Sequence, residues 1–212
     1  MSPRSAATGF AWLLRRPGSR LALVALLTVN LAAATACLLS YSRHGAGFGL
    51  YRIDLAAYRV GGQSWLRGDD LYGRVPVIRG LELPFTYPPV AAVLLAPLAL
   101  MGMAAAGTVL TLGSIALAAA VLRVFLRRLA WPAGPAGGSA WAAGWLLPAV
   151  LLLEPVRSTL AYGQVNIVLM ALVALDCLVT APRWPRGALT GLAAAVKLTP
   201  AAFVLFFLLR RD

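Results

Sequence analysis

Among the long stretches of this 212-residue chain that carry no charge are Leu21 to Ser42 and Tyr87 to Leu122. A run of roughly 20 apolar residues is what an α-helix needs to cross a bilayer. In hydrocarbon each backbone N–H and C=O must be satisfied within the segment, so helices are the elements these runs permit. Composition agrees. Soluble domains carry about 25% charged residues, whereas this chain has 12%, with 60% hydrophobic residues and a mean hydropathy of +0.80. The expected fold class is all-α: a polytopic membrane helical bundle, with residues 1–212 forming a single integral membrane domain.

The net charge of +12 comes almost entirely from arginine, since Lys197 is the sole lysine. These arginines flank the apolar runs and form no basic stripe with interleaved aromatics, which fits membrane orientation better than nucleic-acid binding. Cys37 and Cys177 lie inside apolar runs, so no disulfide framework is implied. His44 is the only histidine, and no metal site is expected around it.

The chain in order predicts the following topology. Arg4, Arg15, Arg16 and Arg20 precede a first span at 20–42 and hold the N-terminus in the cytoplasm. Ala34-Thr35-Ala36 resembles a signal-peptide cleavage site, but the apolar run continues past it, so an uncleaved helix is the preferred reading. Residues 43–87 then form an extracytoplasmic loop, and 88–212 supply further membrane helices. Between Tyr87 and Arg123, Pro97 and the Gly102/Gly107 pair mark a break. A short re-entrant or interfacial helix at 88–101 before one span at 103–125 places Arg123, Arg127 and Arg128 inside, whereas two crossings place them outside; the first is preferred. A flexible inner loop at 131–139 leads to a short span at 140–153 and an outer segment, Glu154 to Asn166. A span at 167–181 returns to Arg183 and Arg186. Along 187–209 the parity stays open: a bend near Pro200 returns Arg210 and Arg211 to the inner face, and a straight span puts them outside.

The outer loop is the principal region open to aqueous chemistry. Leu55, Tyr58, Gly62, Trp65 and Leu66 fall at helical spacing from Asp54, with Arg59, Gln63 and Arg67 on the other side, so the run reads as an amphipathic helix on the membrane surface. Asp54 serves either as the helix N-cap or as a general base at the lipid–water boundary, and the two roles are compatible. Asp69 and Asp70, between Gly68 and Gly73, favour an Asx-turn over a two-carboxylate site. Glu154 and Arg157 are spaced to pair with each other, or Arg157 to meet a lipid phosphate. Gln164 and Asn166 either cap the following helix or hydrogen-bond sugar hydroxyls. Lys197 sits within an apolar run, where a charge costs roughly 2.5–3.5 kcal/mol on insertion scales. It therefore needs a partner: a phosphate, Asp176 or a water-filled cavity, with snorkelling to the interface as the simpler account. Neither a Walker-type GxxxxGK[ST] nor a GxGxxG after a strand is present, which argues against a nucleotide substrate.

In order along the chain stand Asp54-Leu-Ala-Ala-Tyr58 with Leu66-Arg-Gly-Asp-Asp-Leu-Tyr72, then Phe85-Thr-Tyr-Pro-Pro89 with Ala96-Pro-Leu98. Glu154-Pro-Val-Arg-Ser-Thr-Leu160, Gly163-Gln-Val-Asn166 and Lys197-Leu-Thr-Pro200 follow. In these motifs the chain resembles glycosyltransferase family 87, the polyprenol-phosphate-mannose-dependent α-1,2-mannosyltransferases. The resemblance implies a GT-C architecture, a catalytic carboxylate in the first outer loop at Asp54, and substrate-binding roles for Tyr58, Asp70, Tyr87, Glu154, Arg157, Gln164, Asn166 and Lys197. It further implies a polyprenyl-phosphate sugar donor, a glycolipid acceptor, no cofactor or metal, no nucleic acid, and a multi-pass protein of the cell membrane. Family members are longer, so the chain is expected to represent an N-terminal half. The alternatives are an inactive truncated fragment, or a non-catalytic transporter or assembly subunit; a transporter would account for the intramembrane Lys197 and Asp176 but not for the long outer loop.

Overall fold

Each helix starts and stops where local chemistry requires it. The computed structural model describes residues 20–42, 52–73, 77–78, 80–130 and 138–210. The basic N-terminus through Arg16, the stretch 43–51 with His44, most of the inner loop (131–137) and Arg211 lie outside the described residues. Helix α1 spans Arg20–Ser42 and α2 spans Ile53–Arg67. Gly68, in the left-handed region at φ 73°, ends α2 by turning its N–H back to the Ser64 and Trp65 carbonyls. A two-residue antiparallel ladder follows, β1 (Val77–Ile78) on β2 (Leu81–Glu82), pairing Val77 with Glu82 and Ile78 with Leu81. Pro89 opens α3 (Pro89–Ala99), where its missing N–H costs no helical bond. The long α4 covers Met103–Arg128.

Helices α5 (Gly138–Leu152) and α6 (Glu154–Tyr162) are bent by 75° at Leu153, with Pro155 starting the second. Helix α7 (Asn166–Leu178) and α8 (Ala188–Val196) complete the fold with a 3-10 turn (Thr199–Phe203) and α9 (Val204–Arg210). Pro200 cannot donate to a preceding carbonyl and disfavours helix in the residue before it. The chain accordingly leaves α8 at Lys197, which is extended at φ −149°.

The chain is thus mostly helical, with the small ladder as an addition that the apolar periodicity did not foretell. Among the described residues, Met103–Arg128 is the one helix long and apolar enough to cross a membrane alone. Helices α5 and α6 reach that standard together, as a broken span or re-entrant loop, while Pro89–Ala99 and Asn166–Leu178 are shorter apolar helices.

Helix α2 packs onto α3 through small residues. A Cβ on Gly62 would lie 3.0 Å from the Ala96 backbone and the Ala99 side chain, so the two helices approach at a distance that glycine permits. Leu55, Tyr58, Gly61 and Gly62 are buried, while Trp65 and Leu66 are about half exposed. The apolar stripe of α2 is therefore divided: its first part faces protein and its last part faces outward. Arg59 also departs from the expected polar side. Its guanidinium donates to the Leu98 carbonyl at 3.1 Å and to the Met101 carbonyl at 2.6 Å, satisfying acceptors that the end of α3 leaves open. A core of Tyr58, Phe85, Ala92, Val165, Leu169 and Val196 joins α2, α3, α7 and α8. A second, including Ala118, Leu147, Leu160 and Ile167, joins α4 to α7. Burying Leu55 fully contributes roughly 1.5–3 kcal/mol to holding α2 in place.

Candidate active site

The start of α2 is fastened to the turn between α6 and α7. The Arg52 N–H donates to the Ala161 carbonyl at 2.8 Å, and Leu55 packs over Gly163. Gly163 has φ 69°, and a Cβ there would come within 2.8 Å of the Leu55 Cβ. Both the left-handed turn and the close approach require glycine. The contact places Asp54, from the first turn of α2, beside Gln164.

From that point a row of hydrogen bonds crosses the molecule. Gln164 Nε2 donates to Asp54 Oδ2 at 3.1 Å, Asn166 Nδ2 donates to Gln164 Oε1 at 2.7 Å, and Lys197 Nζ donates to Asn166 Oδ1 at 3.1 Å. Each amide accepts on its lysine side and donates on its aspartate side. The row is therefore polarised from an ammonium at one end to a carboxylate at the other, an arrangement in which successive hydrogen bonds reinforce each other. Lys197 reaches it because α8 stops one residue earlier.

A tyrosine pair lies alongside. Tyr58 and Tyr87 hydroxyls are 3.2 Å apart, their rings meet edge-on at 5.1 Å, and Lys197 Nζ lies 5.9 Å from the Tyr87 ring centre. Burial pushes the Tyr58 phenol well above its ordinary value, with its bond to Tyr87 and the Asp54 charge acting in the same direction. Burial likewise raises Tyr87, as does the Asp54 charge, against the lowering effect of the bond to Tyr58. Both phenols remain neutral hydrogen-bonding groups at physiological pH. Tyr72 donates to the Tyr87 carbonyl at 2.9 Å and so ties the loop after α2 to this layer.

Of the residues expected from sequence, the fold thus gathers Asp54, Tyr58, Tyr87, Gln164, Asn166 and Lys197. Asp54 is not the N-cap of α2. That position belongs to Arg52, in the left-handed region at φ 33°, without a side-chain capping bond. Asp70 is exposed and accepts the Tyr72 N–H at 2.9 Å, an Asx-turn. Glu154 is exposed in the first turn of α6, and Arg157 is half-buried on the same helix, whose far end leads into Gly163.

Asp176 is not the partner of Lys197. It is fully buried and accepts Trp184 Nε1 at 3.1 Å, the Gly187 N–H at 3.2 Å and the Thr190 N–H at 2.9 Å. It thereby caps α8 from α7, supplying acceptors for N–H groups that a helix start leaves open. Sequence reasoning passed over Arg52. Its guanidinium lies across Gly107 on α4, its Nε is buried without a hydrogen-bond partner, and burial lowers its pKa. Its position two residues before Asp54 was the available signal.

A carboxylate, two neutral phenols and an ammonium joined by this row and the tyrosine pair are groups of the kinds that can deprotonate a hydroxyl and neutralise a departing anion. Among the described residues no group of three or more His, Cys, Asp or Glu side chains is placed to hold a metal ion.

Comparisons with known proteins identify the family of the chain. The chain is 47% identical over 173 residues to a polyprenol-phosphate-mannose-dependent α-(1-2)-phosphatidylinositol mannoside mannosyltransferase of Mycolicibacterium smegmatis, covering 76% of this chain and 39% of that protein. The protein of the same description from Mycobacterium tuberculosis is 46% identical over 175 residues, covering 76% and 40%. A phosphatidylinositol pentamannoside mannosyltransferase of M. smegmatis is 39% identical over 169 residues, covering 78% and 38%. The chain thus spans about two fifths of the length of these curated relatives. No solved structure matches it. The sequence profile of glycosyltransferase family 87 matches residues 85–212, which include Tyr87, Gln164, Asn166 and Lys197. With that match and relatives of such identity, the chain belongs to glycosyltransferase family 87.

Proposed function

We propose that the protein transfers mannose from polyprenyl-phosphate-mannose to a glycolipid hydroxyl of the phosphatidylinositol mannoside type, forming an α-1,2 linkage with inversion. The observation that carries this reading is the polarised row from Lys197 to Asp54, because it holds a base and a cation in one site although they are distant in sequence.

In this mechanism Asp54 takes the proton of the attacking hydroxyl as its oxygen forms the bond to the anomeric carbon. The bond from that carbon to the phosphate oxygen breaks, and polyprenyl phosphate leaves. Lys197 neutralises the phosphate in a partly desolvated setting where its charge acts strongly, and Arg157 on α6 is a second cation proposed for the lipid phosphate. Gln164 commits one oxygen of Asp54, directing the other toward the acceptor. Tyr58 and Tyr87 supply neutral hydroxyls to the sugar, and Asp70 and Glu154 border the acceptor side. In-line inversion requires one base, and these residues call for no metal or cofactor.

The same reading makes the chain part of a polytopic GT-C bundle in the cell membrane. The N-terminus is cytoplasmic, Met103–Arg128 is a span, and α2 lies at the outer lipid–water boundary with Trp65 and Leu66 toward lipid. The sign of the charged residues supports this orientation.

The test uses the full-length protein in membranes with labelled polyprenyl-phosphate-mannose and phosphatidylinositol mannosides. Transfer by the natural protein and its loss in Asp54→Asn are expected. Normal transfer by Asp54→Asn would overturn the assignment.

A further inference from the structure

Arg52 takes no part in the mechanism above, yet its placement is costly. It stands in the left-handed region at φ 33° and ψ 37°, a conformation that a residue with a Cβ keeps only where its surroundings impose it. Two glycines do so. Its N–H reaches the Ala161 carbonyl at 2.8 Å, and its Cα and Cβ lie 3.6 Å from the place a Cβ on Gly163 would take. Its guanidinium crosses to α4 and fills the space above Gly107, where an added Cβ would overlap Nη1, Cζ and Nε. Nε is buried there without a hydrogen-bond partner, so polar satisfaction does not account for the seat. Glycine at position 52 would relieve the backbone, and an apolar side chain would relieve Nε. Arginine bears both penalties, and what it supplies is a long stem that reaches a second helix.

We propose that Arg52 is a positioning residue for Asp54: seated on Gly107, it locks the first turn of α2 to α4 and so holds the carboxylate against Gln164. The assignment rests on the mannosyl-transfer reading and deepens it, naming what aims the base. Close packing at Gly62 and the bonds of Arg59 fix the middle of α2 to the end of α3. The first turn, with Asp54, lies beyond that hold. A single contact at Gly163 permits it to pivot, and the second at Gly107 removes that freedom. Aim matters because a displacement of about 1 Å can cost on the order of 10²-fold in rate.

The test uses the full-length protein in nanodiscs with labelled polyprenyl-phosphate-mannose and phosphatidylinositol mannosides. Gly107→Ala displaces the guanidinium and leaves the polar row intact. It is expected to lower kcat about tenfold, with KM for donor and acceptor within about threefold. Arg52→Gly, which keeps the left-handed turn, should do the same. Combined, the two should cost no more than Arg52→Gly alone, because the added methyl then meets no guanidinium. In an Asp54→Asn background neither should lower the residual rate further, since the base they aim is gone. Arg52→Met keeps the stem without the charge and should stay within about threefold of the natural kcat.

A Gly107→Ala enzyme with normal kcat overturns the proposal, as does a fall that is undiminished in the Asp54→Asn or Arg52→Gly background. A raised KM in Arg52→Met with kcat unchanged overturns it too, and makes Arg52 a direct contact for a substrate anion. If Gly107→Ala fails to fold, recovery of folding by Arg52→Gly sustains the interlock and lack of recovery refutes it. Absence of transfer by the natural protein, with Gly107→Ala still destabilising only when Arg52 is present, would instead sink the mannosyl-transfer reading and leave the seat standing.

Discussion

Two carboxylates, the half-buried Asp54 and the fully buried Asp176, sit in contrasting surroundings in this chain. Asp176 is fully buried and receives three donors, two of them backbone N–H groups, all from the segment Trp184 to Thr190. Asp54 is half-buried, and among the described residues its side-chain donor is Gln164, which itself leads to a cation. A buried carboxylate that receives three donors is stabilised as an anion and is closed off from a substrate. One held by a single amide keeps an oxygen in reserve. Position in the sequence does not separate the two, since either could be called an aspartate beside an apolar helix. Their surroundings make one a cap and suit the other to the base role proposed for it.

Exchange of the two side chains for amides tests this contrast most severely. Asp54→Asn is expected to lower transfer by about 10²–10⁴-fold, the usual contribution of a general base. Asp176→Asn should leave turnover per folded molecule within a few-fold. Comparable losses in both, measured with labelled donor and normalised to folded protein, would erase the distinction. Lys197→Met is expected next, with a fall in kcat/KM of about 10²–10³-fold from loss of the group that meets the leaving phosphate. If Asp176 were the true partner of Lys197, Asp176→Asn would reproduce this loss.

On stability the order should reverse. Asp176→Ala leaves the N–H groups at the start of α8 and the Trp184 indole without acceptors, at a cost of roughly 3 kcal/mol in detergent unfolding experiments. Asp54→Ala should cost much less. Gly163→Ala strains the φ 69° turn and meets Leu55, with an expected cost of about 1–3 kcal/mol and a loss of activity as Asp54 and Gln164 separate. The smallest effect concerns pH. The folded protein holds the Tyr58 proton more tightly than the unfolded chain does. The resulting stability is present in full below the ordinary phenol value of about 10 and is lost as pH rises from there toward the higher folded value. Tyr58→Phe should flatten this alkaline limb of the unfolding profile; an unchanged limb would mean that the buried phenol does not contribute to it.

Much of the architecture was legible because burial in lipid or protein leaves a compositional trace. Uncharged runs foretold α1, α3 and α4, and Pro89, Pro155 and Pro200 fall where helices start or break. Lys197 could be named in advance because a charge in an apolar run needs a partner, and Asp54, Gln164 and Asn166 because they stand at helix starts in the outer segments and in the motifs of the family. Which partner each would find was not legible. Lys197 had several options and took Asn166, and Asp176 turned to the next helix. Arg59 is spaced for a polar face, yet it bends back to the end of α3. Such choices depend on distances between segments, which periodicity along one helix does not contain.

By itself, then, the sequence determined that this chain is helical, mostly apolar and supplied with a few polar groups too costly to bury unpaired. The tertiary structure alone decided that residues 54, 164, 166 and 197 form one row. The physical reason is that hydropathy and propensity are local quantities, whereas a hydrogen bond between residues 110 positions apart exists only once packing at Gly163 has brought α2 against the α6–α7 turn.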